Sequence, residues 1–359
     1  MPSVKEFRID TDFHLPQASI SDLLPYLNDH WRAQVTDREL PQMPFRLSSY
    51  PAGSPMTQNP AFNGLDVSGA LDKFGTGIAV ASMLHGVVTL HNPDMRQALV
   101  SAVNDYVIDN WLDKEPRLRG TIYISGEDID AAVAEIDRLA SDKRFVQVML
   151  LAMQEIHHGN RMYWPIYEAI ERHGLTLAIH AGSLYRVPPS VAGWPSYQFE
   201  DYVMQSGVFE NIFVGFLGEG VLQKFPNLQI VLLESGFAWL PTTLWRIDKT
   251  WRGVRQEVPW LDRRPSEIAA GRIFLSLQPV DPPGPEELQQ ILKHIGRTDM
   301  LLYSTDYPHR QFTGDDPLPD GLPDDALPGI LVGNALKAYP RLAADPVVQA
   351  AMKTLEETS

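Results

Sequence analysis

Eight short apolar runs are spaced along this chain, and helical patterns separate most of them. The runs fall near residues 4–10, 76–84, 119–125, 145–152, 175–180, 228–234, 272–278 and 300–305. Between them the apolar residues recur at helical spacing. Ile129, Ala132, Val133, Ile136 and Leu139 form the clearest stripe, and 163–173 and 285–295 follow the same rule. A period near 3.6 marks an amphipathic helix, whereas a short unbroken apolar run fits a strand buried on both faces. Strands alternating with helices specify a parallel sheet, because each helix carries the chain back to start the next strand. Eight such units predict an α/β protein, a (β/α)8 TIM barrel forming a single domain over residues 1–359. Its functional groups are then expected at the carboxyl ends of the strands.

Two stretches exceed a minimal barrel. Residues 15–75 make a long insertion after the first strand, ending in a segment from Pro51 to Gly64 that is rich in proline and glycine. A loop of this length is expected to act as a lid over the barrel mouth. Residues 313–328 are acidic and proline-rich and read as a surface loop, and 341–359 read as a C-terminal helical tail.

Composition narrows the chemistry. The chain has no cysteine, so any metal here takes nitrogen and oxygen ligands. A formal charge of −15 disfavours nucleic acid and anionic membranes as partners. No run approaches about 18 uninterrupted apolar residues, the length of a membrane span. Met1-Pro2-Ser3-Val4-Lys5-Glu6-Phe7 offers no apolar core for a secretory signal. The expectation is a cytoplasmic enzyme acting on a small molecule.

Four of the predicted strands run out into a potential metal ligand. They are Ile9-Asp10-Thr11-Asp12-Phe13-His14, Leu177-Ala178-Ile179-His180, Val231-Leu232-Leu233-Glu234 and Leu302-Tyr303-Ser304-Thr305-Asp306. Asp12 and His14 stand at i and i+2, so on a strand both point to one side. His180 precedes Ala181-Gly182, which leaves room beside its ring; a core histidine bonded to backbone is the other reading. Asp306 can equally be a turn aspartate, although a carboxylate at a barrel mouth suits ligation or proton transfer. Together Asp12, His14, His180 and Asp306 offer two nitrogens and two oxygens, a set for Zn2+, Mn2+ or Fe2+.

In this order the segments Asp12-Phe13-His14, His180-Ala181-Gly182 and Ser304-Thr305-Asp306-Tyr307-Pro308-His309 resemble the amidohydrolase-related family. That family includes aminocarboxymuconate-semialdehyde decarboxylase and γ-resorcylate decarboxylase. Further likenesses are Arg117-Leu118-Arg119-Gly120, Phe225-Pro226-Asn227-Leu228, and Glu234-Ser235-Gly236 with Trp239 and Pro241. The resemblance runs over roughly residues 4–340. It implies that Asp12, His14, His180 and Asp306 hold one divalent ion, Zn2+ first and Mn2+ as the alternative. It implies too that the ion activates a water or engages a substrate carboxylate or phenolate, and that the chain forms a homodimer.

Two departures stand out. The decarboxylases carry a histidine at the end of the sixth strand, and this chain has Glu234. Glu234 is expected either to move a proton or to pair with a cation such as Arg246. The fourth strand, Phe145 to Leu151, has no lysine to bridge two ions, which favours a single metal. His309 is expected to steady Asp306 from behind. Arg186, Arg161 and Arg310 are candidates for a substrate carboxylate, and Trp239, Trp194 and Tyr197 for an apolar wall. Glu155, His157 and His158 follow the fourth strand and can reach the mouth or lie in an ordinary loop.

The favoured function is non-oxidative decarboxylation of an aromatic or muconate-type acid, with Asp306 and Glu234 as the catalytic groups. The alternative is hydrolysis of a lactone, amide or ester by hydroxide activated at the metal. A barrel that binds a small carboxylate without turning it over is the third reading.

Overall fold

The computed structural model describes residues 7–39, 63–312 and 315–358. Eight parallel strands follow one another around a barrel in sequence order. They are β1 (Arg8–His14), β2 (Thr76–Ser82), β3 (Leu118–Tyr123), β4 (Phe145–Met153), β5 (Thr176–Ser183), β6 (Ile230–Leu233), β7 (Ile273–Ser276) and β8 (Leu301–Leu302). Helices cover the outside, among them Pro93–Val107, Ile129–Leu139, Trp164–Arg172, Gln198–Gly218, Leu240–Val254 and Pro285–Ile295. The fold is a (β/α)8 TIM barrel, as the alternation of patterns requires.

β4 shows why unbroken apolar runs read as strands. All nine of its residues are buried, because helices cover one side and the barrel interior fills the other. The first strand departs from expectation. It runs from Arg8 to His14 rather than over 4–10, so Asp12 and His14 lie within it. Asp10, Thr11 and Asp12 break its apolar pattern, yet all three are buried; Thr305 and Tyr303 on the β8 side receive the side chains of Asp10 and Thr11.

The seam between β8 and β1 closes beyond the two-residue β8. Thr11 donates its backbone N–H to Tyr303 (3.0 Å), Asp306 to Asp12 (3.0 Å), and His14 to Tyr307 (2.8 Å). The Phe13 and Tyr307 rings stack across the same seam at 4.6 Å. At the opposite end the barrel is plugged by its C-terminal region. The Tyr339 hydroxyl donates to Gln147 Oε1 (3.0 Å), whose amide donates to Thr121 Oγ1 (2.8 Å). Arg341 donates to the carbonyls of Phe145, Ala140 and His173.

Within the 15–75 stretch, helices Ile20–Leu23, Asp29–Asp37 and Val67–Lys73 are described; most of Pro51–Gly64 lies outside the described residues. The tail holds helices Pro340–Ala343 and Pro346–Thr358. No helix among the described residues is long and apolar enough to cross a membrane.

The loop after β4 is structural. His158 is buried, donates Nε2–H to the Leu151 carbonyl (3.0 Å) and stacks on Tyr163. His157 accepts from Gly159 N–H and donates to the Asn211 carbonyl (3.0 Å), and Glu155 is exposed. Burial pushes the His158 imidazole down to about 3. The unfolded chain therefore takes up a proton near pH 6.5 that the folded chain refuses, so this contribution is intact above 6.5 and lost progressively toward pH 3. Relative to His158→Gln, the wild type should lose about 2 kcal/mol of unfolding free energy between pH 7 and pH 5. Urea titrations of both proteins at the two pH values measure it, and a pH-independent difference would refute it.

Candidate metal centre

Strand geometry gathers Asp12, His14 and His180 at one point, with Asp306 against His14. Asp12 and His14 project from β1, His180 from β5, and Asp306 from the turn after β8. His14 Nε2 lies 3.4 Å from His180 Nε2 and 3.5 Å from Asp12 Oδ1, and His180 Nε2 lies 3.6 Å from Asp12 Oδ1. Asp306 Oδ1 sits 2.7 Å from His14 Nε2. All four side chains are buried.

The imidazoles are prepared as ligands. His180 donates Nδ1–H to the Ala181 carbonyl at 2.6 Å, which turns the lone pair of Nε2 toward Asp12 and His14. His14 holds Ser82 Oγ through Nδ1 at 3.3 Å, leaving its Nε2 in the cluster. The carboxylates are not satisfied. Both oxygens of Asp12 and Oδ2 of Asp306 are buried without a hydrogen-bond partner among the described residues. Such groups are costly unless a cation meets them. Ligands at 2.0–2.2 Å from a shared ion stand roughly 3.0–3.6 Å apart. The Asp12, His14 and His180 atoms match that spacing, so the residues fit a divalent metal.

Glu234 and His309 border the cluster. His309 Nδ1 is 3.0 Å from Asp306 Oδ1 and 3.2 Å from Glu234 Oε1, and Glu234 Oε2 is 3.9 Å from His180 Nδ1. Arg246 is exposed, and Glu234 faces the histidines instead. Burial, with the neighbouring Glu234 carboxylate, raises the Asp306 carboxyl to about 7. Burial and His309 push His14 down to about 3. Burial would also lower His180, but Glu234 and Asp12 outweigh it and hold this imidazole at about 9. Burial opposes ionisation of Glu234, yet His180 and His309 bring its carboxyl below the usual range.

Asp10 has a part that its sequence position does not announce. It is fully buried one turn of pleat below Asp12, and accepts from Thr305 Oγ1 (2.6 Å), Thr305 N–H (3.0 Å) and Asp12 N–H (3.2 Å). It thus ties the residue before Asp306 to the strand bearing Asp12. An aspartate inside an otherwise apolar run was the available signal.

The other candidates are dispersed. Arg186 Nε is 3.1 Å from Glu127, which also binds Arg96 at 2.8 Å. Arg161 is not brought to the cluster; it is exposed, stacks over Trp164 and Trp260, and approaches Glu219. Trp239 is half-buried and donates its indole N–H to Ser235 and Gly236 carbonyls, bracing the turn that carries Glu234. Trp194, Tyr197 and Arg310 are exposed.

A sequence model of the family described as Amidohydrolase matches residues 9–341. The chain belongs to the amidohydrolase family. No curated protein matches this amidohydrolase by sequence at a significant level. Among solved structures it is similar to 5-carboxyvanillate decarboxylase from Sphingomonas paucimobilis, at 21% identity and a TM-score of 0.64 over 93% of this chain and 99% of that one. The 5-carboxyvanillate decarboxylase of Novosphingobium aromaticivorans, with bound manganese and 3-methoxy-4-hydroxy-5-nitrobenzoic acid, aligns at 18% identity and TM-score 0.67, covering 94% and 98%. 2,6-Dihydroxybenzoate decarboxylase from Rhizobium aligns at 17% and 0.63, covering 95% and 99%. At these identities the likeness is one of fold.

Backbone strain marks the mouth. Glu234 (φ 54°), Asp306 (φ 53°) and Tyr185 (φ 56°) are all left-handed. This conformation costs a non-glycine residue about 1–2 kcal/mol. Two residues on, Gly236 (φ 59°) is left-handed too, and a Cβ there would meet Asp281 Oδ2 at 2.6 Å and displace that carboxylate. Glu234→Gly should therefore be more stable than Glu234→Ala by about 1 kcal/mol, although both lack the carboxylate. Denaturant midpoints of the two variants test this; an alanine variant as stable as the glycine one would remove the strain argument.

Proposed function

We propose that this amidohydrolase is a metal-dependent carboxy-lyase that decarboxylates an aromatic or muconate-type acid without redox chemistry. The observation that carries the reading is the buried Asp12–His14–His180–Asp306 cluster with its three unpartnered carboxylate oxygens. The fold likeness to decarboxylases of hydroxylated benzoates supports the choice of reaction.

The four residues would hold one divalent ion, which supplies positive charge to orient and polarise the substrate's oxygens. Zinc and manganese both suit two imidazoles and two carboxylates; manganese in a fold relative supports the second. In the reaction the carboxylate leaves as CO2 and the carbon that bore it takes a proton, with no electrons exchanged. Asp306 is the proposed proton carrier because its Oδ2 is buried without a hydrogen-bond partner among the described residues, while its Oδ1 is held by His14 and His309. Glu234, joined to it through His309, is proposed to relay that proton. His309 also fixes the orientation of Asp306.

Arg186 is the proposed anchor for the substrate carboxylate. Two guanidinium groups share the single Glu127 carboxylate, which leaves net positive charge there. Trp239 would shape the wall beside Glu234. The 15–75 stretch as a lid, the single-domain organisation, a homodimer and a cytoplasmic location belong to the same proposal. The net charge of −15 supports a small-molecule substrate over nucleic acid or anionic membrane.

Hydrolysis of a lactone, amide or ester is kept as the second reading, because Glu234 stands where the decarboxylases have histidine. Manganese- or zinc-loaded protein offered hydroxybenzoates and muconate analogues should release CO2; ring-opened acid without CO2 would favour hydrolysis. Asp306→Asn should lower turnover at least about 100-fold, the scale of a general acid–base group. Unchanged turnover would exclude it from the chemistry. Chelation should abolish activity and lower the melting temperature, since the buried carboxylates lose their counter-charge.

A further inference from the structure

Every donor of the Arg186 guanidinium has a partner. Its Nε lies 3.1 Å from Glu127 Oε1, and Nη2 lies 3.4 Å from Glu127 Oε2 and 3.2 Å from the Thr89 carbonyl. Nη1 lies 3.5 Å from the Leu184 carbonyl and 3.2 Å from His91 Nε2. These partners come from the loops after β2, β3 and β5, at the end of the barrel that carries the metal cluster. A carboxylate anchored on Arg186 must therefore replace one of them. Glu127 is held in place by Arg96, a buried side chain 2.8 Å from its Oε2. Thr89 and Leu184 contribute backbone carbonyls. His91 is the exchangeable partner: it is exposed, stands just before helix Pro93–Val107, and has its one hydrogen bond among the described residues to Arg186.

Arginine carries donors and no acceptor, so His91 Nε2 accepts in this contact and the imidazole is neutral. A carboxylate placed between the two reverses the demand on that nitrogen. The carboxylate only accepts, so Nε2 must donate, and the ring takes a proton from solvent to do so. We propose that Arg186 and His91 form a proton-coupled carboxylate subsite. The substrate's acid group takes the place of His91 on Nη1, and His91 becomes a protonated second donor to it. The subsite rests on the reading of Arg186 as the substrate anchor and adds to it a residue that senses whether the anchor is filled. Neighbouring charge favours the coupling. Arg96 and Arg186 against the single Glu127 leave one positive charge, which opposes a proton on His91 until a negative ligand arrives. The remaining acid on the His91 side is Asp94, exposed in the first turn of helix Pro93–Val107. Because the liganded form holds a proton that the free form lacks, carboxylate affinity weakens as pH rises. Histidine is the side chain that makes such a change between about pH 5 and 8.

Titration calorimetry of benzoate into the manganese-loaded chain, repeated in buffers of different ionisation enthalpy, counts the protons taken up per carboxylate bound. More than about half a proton is expected at about pH 7.5, falling toward none near about pH 5. His91→Gln, whose amide accepts and donates without titrating, should still bind benzoate but lose that uptake. Arg186→Gln should bind at least about tenfold more weakly. Thermal melts check its folding, and Arg186→Lys, which keeps the charge but not the fork, takes its place if it is unfolded. Equal proton uptake by wild type and His91→Gln would overturn the role of His91 and leave Arg186 as the anchor. No binding of benzoate, or equal binding by wild type and the Arg186 variant, would overturn the anchor and the subsite together. CO2 release is measured separately, so either failure is distinct from failure of the proposed reaction.

Discussion

Negative charge buried inside a closed ring of strands is the constraint around which this structure is arranged. Asp12 and Asp306 are almost wholly excluded from solvent, and three of their four oxygens have no hydrogen-bond donor among the described residues. No arginine or lysine pairs with them there. The compensating groups are imidazoles, whose lone pairs suit a metal better than their protons suit a carboxylate. A barrel that keeps such a cluster accepts a stability cost that a bound cation would offset.

The scaffold sustains that cost through specific supports. Asp10 accepts three hydrogen bonds and pins Thr305 to β1, so the turn presenting Asp306 cannot drift from Asp12. Ser276 Oγ accepts the Glu234 N–H at 2.9 Å, which ties the left-handed residue after β6 to the end of β7. Trp239 fills in behind the same turn. Asp10 and Ser276 lie in strands, where packing is tightest and displacement smallest, and Trp239 stands at the start of the helix after β6.

Much of this was legible in the amino-acid order. Alternating patterns marked the barrel, and the helices at 129–139 and 285–295 coincide with their apolar stripes. Asp12, His14, His180 and Asp306 showed as polar residues closing apolar runs; the structure brings the first three to one point and sets Asp306 against His14. What the pattern hid depends on partners distant in sequence. β1 was displaced because its buried aspartates resemble a loop until Thr305, 295 residues later, is seen to receive Asp10. Arg161 looked like a mouth residue by position, but two tryptophan rings engage it elsewhere. His158 looked equally available, and burial makes it a core residue. Position along a chain locates the strands themselves well, and their ends and the side-chain directions in loops poorly.

The β1–β8 seam joins segments almost 300 residues apart, and the cluster straddles it. Until the chain has been synthesised through Asp306, Asp12 and His14 have only His180 for company. Assembly of the complete ligand set is therefore a late event, conditional on ring closure. A cation captured there would act as a clasp between the first and last strands and record that the circle has been shut.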